Sequence, residues 1–103
     1  MKTRRKPLTK LQKAAKGREC MVRIPSVCNG NETTVLAHIN RGGVGGMGMK
    51  PPDVCGVWAC SSCHDEADRR TTRVPTQELD TYLLEALCRT LSESWKNGLI
   101  KTL

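Results

Sequence analysis

The chain has very few aromatic residues with which to build a hydrophobic core. Its 103 residues include no phenylalanine, and the only aromatic side chains are Trp58, Tyr82 and Trp95. A single domain of this size buries only about two-thirds of its unfolded surface, so its core is marginal. Such domains often depend on disulfides, a bound metal or a partner subunit. The six cysteines of the chain are the first candidates for that role.

A long hydrophobic segment is also missing. No apolar run approaches the roughly 18–20 residues that a membrane helix needs. The basic N-terminus lacks the apolar stretch and the small-residue cleavage site of a secretory signal. These absences predict a cytoplasmic protein that does not bind a membrane. Thiols stay reduced in the cytoplasm, which favours metal binding by the cysteines over a disulfide framework.

Acidic residues are absent from the first 18 positions, although the whole chain contains ten. Residues 1–18 carry eight basic side chains, whereas the rest of the chain carries nine basic and ten acidic ones. The net charge of +7 therefore lies in this basic leader, which predicts an acidic partner, nucleic acid first. We predict a basic N-terminal tail over residues 1–18, disordered or helical only on binding, and a single domain over residues 19–103.

Hydrophobic patterning predicts a small domain that mixes strands and helices. A glycine-rich loop over residues 42–48 separates the two clearest strands. After it, a C-terminal helix is predicted to begin at an N-cap, Thr76, and to end at Asn97-Gly98. Its apolar residues recur at three- and four-residue steps from Leu79 to Trp95 and indicate a core-facing stripe, with a partner-binding helix as the alternative. The other predictions are strands at 21–24, 34–39 and 54–59 and a helix at 61–70.

Four of the cysteines have the spacing of a metal site. Two residues separate Cys60 from Cys63, a spacing that lets both thiolates bind one tetrahedral ion. Cys20 and Cys28, across a predicted hairpin, are the candidates for the other two ligands of a structural Zn²⁺. Zinc binding is worth an apparent ~10–16 kcal/mol in zinc-finger peptides, which is enough to decide whether this domain folds.

Other interpretations of the cysteines remain open. A redox dithiol at Cys60 and Cys63 would normally occur in a βαβ context, which the sequence does not show. His64 could replace one of the four cysteines as a zinc ligand. We interpret Cys55 and Cys88 as buried free thiols, one in a strand and one in the final helix.

The two histidines of the chain lie at positions that suit catalysis. His38 closes the strand that precedes the glycine-rich loop. His64 follows Cys63 directly, and Asp68 comes four residues later, so both lie on one face of a helix. An imidazole and a carboxylate so placed can hold Mg²⁺, Mn²⁺ or Zn²⁺ and leave positions open for water and substrate. The alternatives are a structural, hydrogen-bonded histidine at position 38 and a solvated acidic face over residues 65–68.

The order of these motifs resembles that of HNH (His-Me finger) endonucleases, and in particular the YbcO-like family of small nucleases from lambdoid prophages. The resemblance covers residues 11–103. It rests on the segments 35–39, 46–53 and 59–68, with further similarity at 17–20, 22–25 and 27–30.

This resemblance implies a small α+β fold with a zinc-stapled ββα-metal (HNH-like) core and a C-terminal amphipathic helix. It implies that His38 is the general base that deprotonates water and that His64 binds the catalytic metal together with Asp68. Asp53 is nearest in order to the middle residue of the HNH motif, which orients the base. Ala37 stands where many relatives have a metal-binding Asp or His. Either the metal has fewer protein ligands here, or His38 is itself a ligand.

The implied function is a metal-dependent endonuclease that hydrolyses phosphodiester bonds of DNA. The alternative is a catalytically inactive zinc module that binds DNA or a recombination partner. Basic side chains are expected to contact the phosphate backbone largely without sequence specificity. The candidates are Arg4, Arg5, Lys6, Lys10, Lys13 and Lys50, with Arg41, Arg69 and Arg70 for phosphates that flank the cleaved bond.

Overall fold

The computed structural model describes residues 9–42 and 51–100. These two stretches form a small α+β fold, as the sequence predicts, and none of their helices is long and apolar enough to cross a membrane. In chain order the elements are α1 (Lys10–Ala15), β1 (Val35–His38), a short 3-10 helix (Asp53–Cys55), β2 (Gly56–Ala59), α2 (Ser61–Ala67) and α3 (Thr76–Lys96). The strand predicted at 21–24 is not formed, and this stretch bends without regular secondary structure.

The two strands form an antiparallel sheet in which His38 lies opposite Gly56. A side chain at Gly56 would bring its Cβ within 2.8 Å of the Leu36 side chain, so glycine permits the strands to approach here. Just beyond the sheet, the backbone N–H of Ile39 donates to the carbonyl of Cys55 at 2.8 Å. The end of β1, with His38, is thereby held against the 3-10 helix.

Trp58 on β2 joins most of the elements into one core. Its side chain is completely buried, and its indole N–H donates to the carbonyl of Leu11 on α1 at 3.2 Å. Its backbone N–H donates to the hydroxyl of Thr90 on α3 at 3.2 Å, and its carbonyl accepts from the N–H of Met21 at 2.7 Å. The guanidinium of Arg18 lies 4.8 Å from the ring centroid, a cation–π distance. One aromatic residue on β2 thus contacts α1, α3 and the loop after α1.

Helix α1 lies in the segment that the sequence assigns to a basic tail. Leu11 and Ala15 are buried, so the helix docks on its own domain rather than only on a partner. Thr9 and Gln12 form a capping box, in which each side chain accepts from the other residue's backbone N–H. A six-residue helix is not stable alone, and its cap and its buried face explain why it forms here. Lys10 and Lys13 remain exposed.

Helix α3 packs against β2. Its N-cap is Pro75, not Thr76, and its buried residues are Leu79, Leu83, Ala86, Thr90 and Ser94. The predicted stripe is therefore right as far as Leu87, which is half-buried against the core, and wrong at Trp95, which is 59% exposed. Two hydroxyl groups take the last buried positions because both have partners: Thr90 accepts from Trp58, and Ser94 donates to the carbonyl of Thr90 at 2.6 Å.

Glu66 is a fully buried carboxylate that fastens α2 to the segment leading into α3. It accepts hydrogen bonds from the hydroxyl of Thr71 and from the backbone N–H of Val74, the latter at 2.7 Å, and Arg69 lies 3.4 Å away. Burial alone would raise the pKa of Glu66. The hydrogen bonds from Thr71 and from the backbone outweigh burial, so this pKa lies below its ordinary value. Glu66 therefore does not belong to a solvated face.

We expect Glu66→Gln to destabilise the protein by about 1.5–3 kcal/mol, because a charged acceptor is removed from buried donors. The lowered folded-state pKa means that the stabilisation is complete above the unfolded-state value of about 4.3 and is lost as the pH falls through the folded-state pKa. Urea unfolding at pH 7 measures the difference. Asp65→Asn is the control, since Asp65 forms an exposed ion pair with Arg70, and it should cost less than about 1 kcal/mol. Equal stability of the wild type and Glu66→Gln would contradict the role of Glu66.

Candidate metal centre and active site

Four cysteine sulfurs meet although they come from two distant parts of the chain. The Sγ atoms of Cys20, Cys28, Cys60 and Cys63 all lie within 4.8 Å of one another, and each cysteine is a free thiol. The Sγ atoms of Cys28 and Cys60 are 3.9 Å apart. Four sulfurs at about 2.3 Å from one zinc ion would be separated by about 3.8 Å. The cluster can therefore hold a tetrahedral metal such as zinc, with the four ligands predicted from the sequence.

Local backbone geometry brings the two pairs together. Arg23 and Ser26 both have positive φ angles, 57° and 63°, which turn the chain tightly between Cys20 and Cys28 in place of the predicted hairpin. On the other side, Cys60 is the N-cap of α2, so Cys63 follows in its first turn. The backbone N–H groups of Asn29 and Cys63 donate to the sulfur of Cys60 at 3.3 and 3.4 Å. Such donors stabilise a thiolate.

The cysteines also change one another's acidity. The hydrogen bond between the side chains of Cys20 and Cys63 lowers the pKa of Cys20 to about 4 and raises the pKa of Cys63, because one thiol donates to the other sulfur as a thiolate. Burial is the main cause that raises the pKa of Cys28. A cation among the four sulfurs would favour the charged form of each, so metal binding and deprotonation are linked.

The other two cysteines lie outside this cluster. Cys55 is half-buried at the end of the 3-10 helix, and Cys88 is exposed on α3. The prediction of two buried thiols is therefore wrong for Cys88 and only partly right for Cys55, which is half-buried and lies in the 3-10 helix instead of a strand. Its position falls between the buried residues Ala86 and Thr90, on a part of the helix that points to solvent.

His38 and Asp53 meet at the end of the two-stranded sheet. The Nε2 atom of His38 lies 2.7 Å from Oδ1 of Asp53, and about a fifth of each side chain is exposed. The second carboxylate oxygen of Asp53, Oδ2, accepts a hydrogen bond from the hydroxyl of Thr9 at 2.5 Å. Sequence reasoning missed Thr9. The Thr9-x-x-Gln12 pattern signals a helix cap, but nothing in it indicates a contact 44 residues away.

His64 and Asp68 lie one turn apart on the same face of α2, as their spacing predicts. The Nε2 atom of His64 is 3.1 Å from Oδ2 of Asp68. Arg70 contacts the same oxygen at 3.1 Å and Asp65 at 2.8 Å. Adjacent ligands at about 2.1 Å from an octahedral ion would be about 3.0 Å apart, so the imidazole and carboxylate fit one divalent cation. In residues 9–42 and 51–100, only the cysteine cluster gathers three or more His, Cys, Asp or Glu ligand atoms within 4.8 Å.

A cavity of about 260 Å³ opens between the two histidine-bearing elements. Its wall includes Ala37 and His38 of β1, Arg41 just beyond it, and Asp68 and Arg69 at the end of α2. Ala37 contributes a methyl group there and no metal ligand. The cavity thus joins the candidate base, one candidate metal ligand and two arginines. The guanidinium group of Arg41 pairs with Asp80 at 3.3 Å, and that of Arg69 contacts Glu66 and the carbonyl of Val74.

The other predicted phosphate contacts are only partly described. Lys10 and Lys13 lie on the exposed face of α1. Arg4, Arg5, Lys6 and Lys50 lie outside the described residues.

Comparison with known proteins shows the family of the chain. Residues 9–99 match the family described as "Putative nuclease YbcO". The chain belongs to the YbcO family. Two YbcO relatives, "Putative nuclease YbcO" from Escherichia coli (strain K12) and "Putative nuclease ybcO" from Enterobacteria phage 82, are each 55% identical over 92 residues. Each match covers 88% of this chain and 96% of the relative.

A solved structure is similar in both sequence and fold. It is described as "Structure of a putative bacteriophage protein from Escherichia coli str. K-12 substr. MG1655". It superposes with a TM-score of 0.73 at 50% identity, and the match covers 86% of this chain and 100% of that one. The YbcO family match begins at residue 9, so it includes Thr9 and α1.

We expect Cys20→Ser and Cys63→Ser to lose the bound metal and to unfold, because the metal-binding free energy is part of the folding free energy. Cys55→Ser and Cys88→Ser should keep about one metal ion per chain. Elemental analysis of protein purified without chelator measures the metal, and circular dichroism measures the fold. Equal metal content in all four variants would contradict the assignment of the cluster.

Proposed function

We propose that the protein is a metal-dependent endonuclease that hydrolyses DNA phosphodiester bonds on an HNH-like ββα-metal core. The observation that carries this proposal is the cavity that has His38 on one side and Asp68 on the other, with His38 bonded to Asp53. Two antiparallel strands followed directly by α2 are consistent with a ββα-metal arrangement. The names of the relatives, including the one from a phage, support a nuclease.

His38 acts as the general base. An ionised carboxylate can only accept hydrogen bonds, so the contact with Asp53 places the proton of the neutral ring on Nε2 and leaves the lone pair on Nδ1. Nδ1 takes a proton from the attacking water, and the carboxylate of Asp53 stabilises the imidazolium that forms. Asp53 thus takes the orienting role that sequence order suggested for it.

His64 and Asp68 would hold the catalytic divalent cation. When bound, such an ion supplies Lewis-acid stabilisation of the charge on the scissile phosphate and on the leaving 3′ oxygen. His38 is bonded to Asp53 and does not join the His64–Asp68 pair in a three-ligand group, which favours His38 as base rather than as ligand. Ala37 supplies no ligand, so a cation held by His64 and Asp68 would keep positions for water and phosphate oxygens, and Mg²⁺ and Mn²⁺ accept such oxygen-rich sites.

A structural Zn²⁺ at the four cysteines would hold the N-terminal end of α2, the helix that carries His64. His64 follows Cys63 directly in α2, so fixing the first turn of the helix also fixes the direction of the imidazole. A closed four-sulfur site has no open position for substrate and therefore contributes to structure rather than to cleavage.

Phosphates next to the cleaved bond are bound by cationic side chains around the cavity. Arg41 and Arg69 line it. The ion pair of Arg41 with Asp80 is exposed, so its planar guanidinium group can exchange that partner for a phosphate oxygen, whereas Arg69 contributes positive charge while it stays bound to Glu66. Lys10 and Lys13 extend the positive surface along α1, and the basic residues before Thr9 continue it in sequence. The DNA backbone is therefore the main recognition element, largely independent of base sequence.

Protein that retains its zinc should nick supercoiled plasmid DNA in the presence of Mg²⁺ or Mn²⁺. His38→Ala should reduce the rate by about 100-fold or more, because a general base typically contributes 10²–10⁴-fold. His64→Ala should also reduce the cleavage rate, because it removes a ligand of the catalytic cation. Cys88→Ser, remote from the cavity, is the matched control and should cleave like the wild type. The measurement is the initial rate of conversion of supercoiled to nicked plasmid.

Two precautions make this result decisive. A short chelator treatment followed by desalting should stop cleavage, and elemental analysis must show that the four-cysteine zinc is retained; added Mn²⁺ should then restore the activity. If folded, zinc-loaded His38→Ala and His64→Ala proteins cleave as fast as the wild type, the endonuclease assignment is wrong. DNA binding without cleavage by the wild type would instead indicate the inactive zinc module.

Removing residues 2–8 should weaken DNA binding and reduce its salt dependence. This segment carries four basic residues, and the slope of log K against log salt should fall by up to about 0.9 for each phosphate that the protein no longer neutralises. The deletion stops before Thr9 because α1 belongs to the core. Fluorescence anisotropy of labelled duplex DNA at several salt concentrations measures the slope. A full-length variant with the four basic residues changed to glutamine should behave in the same way, and an unchanged slope in both would show that the leader does not bind DNA.

A further inference from the structure

We propose that Thr9 is a positioning residue for the candidate base His38 and that α1 is thereby part of the active site. This inference rests on the proposed function, since it assigns Thr9 to the same site. It extends that site from the sheet and α2 to an N-terminal helix that carries no recognised catalytic motif.

The hydroxyl of Thr9 has a partner on each side. Its oxygen accepts the backbone N–H of Gln12 at 3.2 Å, and its proton is donated to Oδ2 of Asp53 at 2.5 Å. The other oxygen of the same carboxylate lies 2.7 Å from Nε2 of His38. Thr9, Asp53 and His38 therefore form a continuous line of hydrogen bonds that ends at the imidazole.

Both oxygens of Asp53 need a partner if the carboxylate is to hold the ring in one orientation. The final torsion of an aspartate side chain is broad, so a single hydrogen bond leaves the carboxylate plane free to rotate. A second bond, on the opposite oxygen, fixes that plane and keeps Oδ1 directed at Nε2 of His38. Groups that orient a functional side chain in this way typically change activity by 10–100-fold when removed, as outer-shell partners of metal ligands do.

The position of Thr9 depends in turn on the docking of α1. The helix contacts both β1 and the 3-10 helix, the elements that carry His38 and Asp53. Leu11 and Ala15 anchor it in the core, and the hydrogen bond from the backbone N–H of Gln12 fixes the direction of the Thr9 hydroxyl. The hydroxyl is thus presented to Asp53 by a rigid element rather than by a loop.

Two substitutions at Thr9 separate positioning from helix capping. Thr9→Gly removes the hydroxyl but leaves a residue that is accepted at the N-cap, and Thr9→Asp is a good N-cap without a proton to donate. Both should lower kcat for plasmid cleavage by about 10–100-fold with little change in KM for DNA. Thr9→Ser, which keeps the hydroxyl, should stay within about twofold of the wild type. Gln12→Ala is the capping control: it breaks the other half of the capping box without touching the bond to Asp53, and it should also stay within about twofold.

A readout that needs no activity tests the same line of hydrogen bonds. In proton NMR spectra, the Nε2–H of His38 should give a downfield resonance protected from exchange with water, assigned by its loss in His38→Gln. This resonance should persist in Thr9→Ser and Gln12→Ala and should broaden or disappear in Thr9→Gly and Thr9→Asp. If the wild type cleaves no DNA, the proposed function fails, while this resonance still decides the role of Thr9. Persistence of the signal in Thr9→Gly, or equal losses in Thr9→Gly and Gln12→Ala, would overturn the inference.

Discussion

The convergence of four cysteine sulfurs is the constraint on which the rest of the molecule depends. It ties a loop without regular secondary structure, which carries Cys20 and Cys28, to the corner between β2 and α2. Four thiolates within 4.8 Å of one another repel, so a central cation is what makes the charged cluster favourable. Because His64 is adjacent to Cys63, a metal held by the four sulfurs would both stabilise the fold and set the direction of a proposed catalytic ligand. A chain poor in aromatic residues would thereby obtain both rigidity and orientation from one centre.

The two proposed metal positions offer different ligand atoms, and these ligand atoms determine which ion each position prefers. The four-sulfur site is soft and closed and suits zinc, whereas the His64–Asp68 pair offers one nitrogen and one oxygen and suits ions that keep several water ligands. The candidate base takes no part in either group, since the Asp53 carboxylate engages its Nε2 atom. The candidate base thus lies on β1, whereas α2 carries both Cys63 of the sulfur cluster and His64 of the proposed metal pair. Trp58, on the strand between them in sequence, adds bonds to α1 and α3.

Features that follow local rules could be predicted from the sequence, and features that depend on distant partners could not. The spacing of Cys60 and Cys63, and of His64 and Asp68, directly determines which side chains share a helix turn. In contrast, α1 is stabilised by burial against residues far along the chain, and the Thr9–Asp53 contact spans 44 positions. Periodicity alone also could not exclude Trp95 from the core, because the hydroxyls of Thr90 and Ser94 are buried only where they find acceptors and donors. Glu66 is similar: its donors at Thr71 and Val74 exist only once the chain has turned toward α3.

The position of α3 at the C-terminal end of the core has a consequence for synthesis on the ribosome, where N-terminal segments emerge first. All four clustered cysteines precede α3, so the metal can be captured while one side of β2 is still uncovered. The backbone N–H of Trp58 finds its acceptor only when Thr90 arrives. We therefore expect a nascent chain that already binds metal but exposes an apolar surface until α3 closes over it. Helix α3 completes the core, and a chain that ends before Thr90 would be left open and prone to aggregate.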